Sequence, residues 1–322
     1  MDGDRVGAAE AAADHGGGID SAAARWGGTR DDWLDLSTGI NPRPWRPGRL
    51  PREAWTALPD TGAVPALAAA ARAFWGAPRE AAVIAAPGAS ALIARMPAVA
   101  PGGQVWIPGP TYNEHARAFR MAGRECTDDP PRPRPRGVPP NHPPRRRRVA
   151  GAVEGAALAV IDESFTDVTP VSSLIALADR PGVVVLKSFG KFWGLAGLRL
   201  GFAIGDPGIL RRLSDLLGPW PVSGPALAIG TAALRDAAWA GTTRWRLTRD
   251  AARLDRLMAA RGARIAGGTD LFRLYEVDHA ALWADRLAHA RILIRTFPYS
   301  RTALRLGLPG RAADWARLEA AL

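Results

Sequence analysis

Two apolar runs constrain this chain more than any other feature. Ala157-Leu158-Ala159-Val160-Ile161 ends in Asp162-Glu163, and Val183-Val184-Val185-Leu186 ends in Lys187-Ser188. Neither run alternates polar with apolar residues. Each therefore reads as a strand buried on both faces, which requires helices above and below one sheet. The preceding segment has the same character. A short strand at Val83-Ile84-Ala85 leads through Pro87-Gly88-Ala89-Ser90 into a helix over 91–99. A strand at Gln104–Ile107 then stops at Pro108-Gly109-Pro110, and a helix follows over 115–121. Strand, small-residue turn, helix, strand is the order of an α/β protein with a mostly parallel sheet.

The pattern divides the chain into three. Residues 1–32, acidic and Gly/Ala-rich at the start, read as a mobile N-terminal arm. Residues 33–235 carry the large domain, with a short strand at Trp33–Ser37, helices over 66–75, 172–178, 213–218 and 225–235, and a further strand over 198–204. Residues 236–322 form a small α+β unit: a long Arg-rich helix over 239–260, strands at 264–265, 271–274 and 302–306, and a closing helix over 312–322. Between Arg124 and Ala152 the pattern fails. That segment is crowded with Pro and Arg and has no apolar period, so it fits neither a central strand nor a helix. In a gene rich in G and C, two compensating frame shifts near codons 124 and 152 would produce such a composition.

The formal net charge of +11 suggests a nucleic-acid partner at first sight. Its distribution argues against one, because Arg132, Arg134, Arg136, Arg145, Arg146, Arg147 and Arg148 are clustered with no interleaved aromatic residue for base stacking. No apolar stretch is long enough to span a bilayer, and no basic-then-apolar leader is visible. The single cysteine, Cys126, excludes an internal disulfide and suits a reducing, cytoplasmic compartment. No metal ligand set is assigned.

Candidate chemistry lies at the carboxyl ends of the two buried strands, where open α/β sheets bind ligands. One strand delivers Asp162. The next delivers Ser188 and then Lys191. A lysine amine beside a carboxylate is what pyridoxal 5'-phosphate requires: the amine captures the cofactor's aldehyde, and the carboxylate keeps the pyridine nitrogen protonated. Arg199 returns across a Gly-rich turn and offers a guanidinium to the cofactor's phosphate. Ser188 offers a hydroxyl, and Gly88, Ala89 and Ser90 offer backbone N–H groups at a helix start. Tyr112 is placed as a lid on the ring. Ser188-x-x-Lys191 also opens a penicillin-binding signature. That reading fails because Ser214-Asp215 is followed by Leu216, and Lys187 and Lys191 are the only lysines.

The segment LKSFGKFWGLAGLRLGF (Leu186 to Phe202) resembles the cofactor-lysine segment of fold-type I aminotransferases, in the branch that contains histidinol-phosphate aminotransferase and threonine-phosphate decarboxylase. His15-Gly16-Gly17, DLSTGINP (Asp35 to Pro42), PGPTYNEHARAF (Pro108 to Phe119), DESF (Asp162 to Phe165) and GPWPVSGPALA (Gly218 to Ala228) resemble the decarboxylase of cobalamin biosynthesis more closely. The resemblance implies the PLP-dependent transferase fold, a homodimer, and decarboxylation of L-threonine O-3-phosphate to (R)-1-amino-2-propanol O-2-phosphate. It also implies that Arg295 and Arg305 hold the substrate's anions, and that His15 and the loop Ser37, Thr38, Gly39 and Asn41 close over it. The alternatives are a histidinol-phosphate-type aminotransferase and a non-catalytic relative.

The chain departs from this family at three points. The Asn-Pro-x-Asn-Pro-x-Gly segment, whose second Asn bonds the cofactor's phenolic oxygen, has its nearest counterpart in Pro139-Pro140-Asn141-His142-Pro143-Pro144-Arg145, which puts His142 at the Asn position. The strand before that motif and the helix after it have no counterpart. Phe165 lacks the hydroxyl that many aminotransferases carry there, and Leu58 lacks one that they send to a partner subunit's phosphate.

Overall fold

The computed structural model describes residues 15–59, 62–109, 111–128, 153 and 155–322. The counterpart of the Asn-Pro motif, Pro139 to Arg145, and residues 1–14 lie outside these described residues. The principal sheet has four strands in the order β2 (Ala82–Ala86), β7 (Gly201–Gly205), β6 (Val183–Ser188), β5 (Ala159–Asp162). β5 and β6 are parallel, as their apolar runs require, with Asp162 opposite Leu186. Val183 to Lys187 are fully buried.

One strand corrects the expected parallel arrangement. β7 runs antiparallel to both of its neighbours, so β2, β5 and β6 share a direction and β7 opposes them. The cause is the connection. Residues 189–200 return directly from β6 with only a short turn of 3-10 helix at Ala196–Leu198, and a parallel partner would need a full crossover helix. This tight return places Lys191 at the sheet's rim. Glycine is required where β7 begins, because a Cβ on Gly201 would lie 2.3 Å from the Ala89 nitrogen.

Other elements differ from expectation in detail. The helix expected over 91–99 is two short ones, Ala89–Ile93 and Met96–Val99, interrupted before Pro97, which cannot donate within a continuing helix. The 172–178 helix is replaced by 3-10 turns at Pro170–Ser172 and Ile175–Asp179. Cys126–Thr127, inside the irregular segment, forms a short strand β4 parallel to β3 (Val105–Trp106). Within the arm, helix Ile19–Trp26 packs Ala22 against Trp33 and Ala288.

The C-terminal unit is a four-stranded antiparallel sheet in the order β11 (Arg295–Phe297), β12 (Ser300–Gly307), β9 (Phe272–Glu276), β8 (Arg264–Thr269), backed by the long helix Ala237–Ala259. β1 (Leu34–Asp35) pairs in parallel with β10 (Ile292–Leu293). This pairing ties the loop Ser37–Asn41 to the C-terminal unit and carries it past the carboxyl ends of β5 and β6. One apolar cluster, from Leu67 through Phe189, Trp193 and Phe202 to Leu254 and Leu304, joins the two units.

Candidate active site

Lys191 sits in the return between β6 and β7, half-buried, with its ammonium 5.2 Å from the centre of the Phe165 ring. Its loop is clamped from outside. The Asn41 N–H donates to the Lys191 carbonyl (2.9 Å), and the Asn41 side chain donates to the Phe192 carbonyl (2.8 Å). The Asn41 amide oxygen accepts from the Arg43 N–H and from Arg246. Asn41 therefore holds the lysine's loop in place with its side chain fully buried, rather than presenting an amide to the site.

The Lys191 amine lies in the field of four charged groups. Burial, first, and then the positive charges of Arg305, Arg199 and Arg295 hold Lys191 below the ordinary lysine range, against the opposing pull of Asp162. Asp162 caps β5. Burial raises its carboxyl, but His115 and Ser164 more than offset that, so it stays below the ordinary aspartate range. His115 Nε2 lies 2.9 Å from Oδ2, and the Ser164 N–H and hydroxyl donate to Oδ1 at 2.9 and 2.6 Å.

The residues expected to hold the cofactor's phosphate also lie together. Ser188 is opposite Gly201 in the β6–β7 register, and Gly201 lies against Gly88 and Ala89. Arg199, in a left-handed conformation (φ 53°), brings its guanidinium onto Gly88, where an added Cβ would lie 2.7 Å from Nη2. Only glycine leaves that space, and Ser90 is exposed one residue inside the same helix start. These residues fit pyridoxal 5'-phosphate: a carboxylate for the ring nitrogen, an amine for the aldehyde, and a Gly-backed guanidinium for the phosphate.

The remaining candidates close the other side. The Arg305 guanidinium donates to the Ser37 carbonyl (2.6 Å), and the Gly17 N–H donates to the Ser37 hydroxyl (2.7 Å). A Cβ on Gly16 would meet the Ser37 carbonyl oxygen at 2.5 Å and Arg305 Nη2 at 3.0 Å, so the arm seats directly on this loop. The Thr38 carbonyl abuts Gly307, and Gly39 is pressed against Phe165 and Phe272, where a Cβ would meet ring carbons at 2.7 and 2.8 Å. His15 lies 3.1 Å from Glu114 and 5.7 Å from the half-exposed Tyr112 ring. Two residues were missed from the sequence. His115 lies three residues after Tyr112, on the first turn of helix Asn113–Met121, and turns its ring to Asp162. Phe272 on β9 packs on Phe165 (5.0 Å) and under Arg305 (5.1 Å), and its strand pattern carries no signal of that.

Residues 32–130 and 148–318 match the model of the family described as aminotransferase class I and II. The chain belongs to that family. It is 41% identical to a threonine-phosphate decarboxylase of Pseudomonas aeruginosa, over 96% of this chain and 97% of the relative. It is 40% identical to a protein of the same name from a Sinorhizobium species, again over 96% and 97%. Among solved structures, histidinol-phosphate aminotransferase from Sinorhizobium meliloti in complex with pyridoxal-5'-phosphate superposes with a TM-score of 0.73 at 19% identity, covering 95% of this chain and 93% of that one. L-threonine-O-3-phosphate decarboxylase from Porphyromonas gingivalis superposes with a TM-score of 0.67 at 18% identity, covering 89% and 97%. The architecture is accordingly the aminotransferase class I/II fold, α/β with a small α+β C-terminal unit.

Proposed function

We propose that this enzyme is a pyridoxal 5'-phosphate-dependent carboxy-lyase that converts L-threonine O-3-phosphate to (R)-1-amino-2-propanol O-2-phosphate and carbon dioxide, in the service of cobalamin biosynthesis. The observation that carries the reading is the pair Arg295 and Arg305, opposed on the β11–β12 ladder, with the Arg305 guanidinium over the Phe272 ring that packs on Phe165, the ring beside the Lys191 ammonium. A substrate with both a phosphate and a carboxylate needs two anion sites in addition to the cofactor's own. The near full-length likeness to proteins named for that reaction supports it.

When bound, the cofactor supplies an aldehyde for the substrate's amine and a π system that accepts the electron pair left by the departing carboxylate. Asp162, kept ionised by His115 and Ser164, holds the ring nitrogen protonated. Gly88, Ala89, Ser90, Ser188 and Arg199 would hold the cofactor's phosphate, and Tyr112 would cover its ring. Arg295 and Arg305 grip the substrate's anions and so decide which bond at Cα stands perpendicular to the ring. His15 and the loop Ser37 to Gly39 exclude water. Lys191, held below the ordinary lysine range by burial and by neighbouring arginines, takes up the proton that the substrate's ammonium gives up and, as the ammonium, returns one to Cα in place of the carboxylate.

The family likeness supports a homodimer, and the single cysteine, Cys126, suits a reducing, cytoplasmic compartment. Among the described residues no helix is long and apolar enough to cross a membrane. Trp55, Leu58 and Trp220 are all more than half exposed, and the helix Glu53–Thr56 abuts Gly224 nearby, an apolar surface of the kind that partners cover. The test of function is carbon dioxide release from L-threonine O-3-phosphate by the cofactor-loaded protein, with 2-oxoglutarate present in a parallel assay. Amine transfer to 2-oxoglutarate without carbon dioxide release would replace the decarboxylase reading with an aminotransferase.

A further inference from the structure

The strand ends that carry the reacting groups have a second face, and it too is charged. Successive side chains on a strand point to opposite sides. Asp162 and Ser188 face the candidate site, so their neighbours Glu163 and Lys187 face away from it. There the two meet: the Lys187 ammonium donates to Glu163 Oε2 at 2.6 Å, with the side chains only 2% and 4% exposed. Each charge is one residue from a site residue, on adjacent parallel strands.

The pair is built to hold a distance. The Glu163 carboxylate also accepts from the Ser173 hydroxyl (2.6 Å) and the Leu174 N–H (2.5 Å), and the Glu163 N–H donates to the Leu186 carbonyl (2.9 Å), extending the β5–β6 ladder by one rung. Lys187 lies 3.6 Å from a second buried carboxylate, Asp167, which is itself held by the Trp75 indole N–H at 2.8 Å. The ammonium thus ties β6 to two points on the chain that follows β5. A buried ion pair is a poor source of stability, since well-packed apolar residues in its place are often neutral or better. What it fixes is geometry: the two charges tolerate little change in separation once water is excluded.

We propose that the Glu163–Lys187 pair is a positioning device that fixes the spacing between Asp162 and the Lys191 loop, so that carboxylate and amine engage the two ends of one cofactor ring. The proposal rests on the assignment of pyridoxal 5'-phosphate to this site. Its test compares Glu163→Gln, Lys187→Arg and the apolar double variant Glu163→Leu/Lys187→Leu. Three properties are measured for each: the melting temperature without cofactor, the dissociation constant for pyridoxal 5'-phosphate, and the induced circular dichroism of the bound cofactor's absorption band.

A displacement of about an ångström at a reacting group changes its effectiveness by up to about a hundredfold. The double variant, which leaves the Asp167 carboxyl, the Ser173 hydroxyl and the Leu174 N–H without these partners, is expected to melt below the wild type but to stay folded, and to bind the cofactor at least about tenfold more weakly, with a diminished dichroic band. Glu163→Gln should lose both stability and affinity, and Lys187→Arg, which keeps the charge, should keep the dichroic band. A double variant with wild-type affinity and dichroism would overturn the proposal and leave the proposed function intact. Wild-type protein that takes up no pyridoxal 5'-phosphate would overturn both.

Discussion

Arg295 and Arg305 stand directly opposite each other in the antiparallel ladder of β11 and β12. Like charges so placed repel, at roughly 0.2–1 kcal/mol for an opposed pair on a sheet. A dianionic ligand between them converts the repulsion into two charge-assisted bonds. Arg295→Met is expected to raise KM for L-threonine O-3-phosphate at least about tenfold, since a hydrogen bond to a charged group contributes about 1.5–3 kcal/mol. Steady-state carbon dioxide release measures this, and an unchanged KM would remove Arg295 from the substrate's binding groups.

His115 controls the charge on Asp162. With its hydrogen bond and positive charge gone, burial is less opposed and the Asp162 carboxyl rises. A depressed carboxyl pKa means that the ionised form survives down to low pH. In His115→Phe the carboxylate is lost at higher pH, so the acid limb of cofactor binding should move upward. A titration of cofactor affinity against pH for both proteins tests this. Coincident acid limbs would leave His115 with no hold on Asp162.

The positions of Lys191, Asp162 and Arg199 at the rim of the sheet were legible in the sequence, because strands buried on both faces announce themselves as apolar runs and these residues follow the strand ends. The antiparallel course of β7 was legible in principle from residues 189–200, which are too few for a crossover helix. His115 was not. Its bond to Asp162 depends on how helix Asn113–Met121 leans on β5, a tertiary fact with no local signature. Asn41 was expected from the resemblance to close over a substrate; in the structure its buried amide serves the backbone of Phe192, and only the structure shows that it clamps the lysine's loop. Glu163 and Lys187 looked like the polar ends of two strands, and their pairing appears only when the register is known.

Arg305 also tunes the nucleophile. It is the leading charge that depresses Lys191, after burial. Removing it should raise the lysine toward its ordinary value, so that a higher pH is needed for the neutral amine. In Arg305→Met the rate at which cofactor-free protein captures pyridoxal 5'-phosphate, followed by growth of the long-wavelength band, should show its midpoint at higher pH. The same midpoint in both proteins would remove Arg305 from that role.

Asp167 gives a stability signature independent of the reaction. Burial raises its carboxyl above the ordinary value, and Lys187, the Trp75 hydrogen bond and Arg244 only partly offset this. In the unfolded chain the group titrates near about 3.9. In the pH window from there up to its raised folded value, the native protein holds a proton that the unfolded chain has released. The native state then binds more protons than the unfolded one, and stability falls as pH rises through that window. Asp167→Asn removes the titration and retains an oxygen for the Trp75 indole. The difference in unfolding free energy, variant minus wild type, should therefore climb with pH across the window and be flat on either side. Urea denaturation at closely spaced pH values measures it, and a difference that falls with pH would show that Lys187 and Arg244 outweigh burial at this carboxyl.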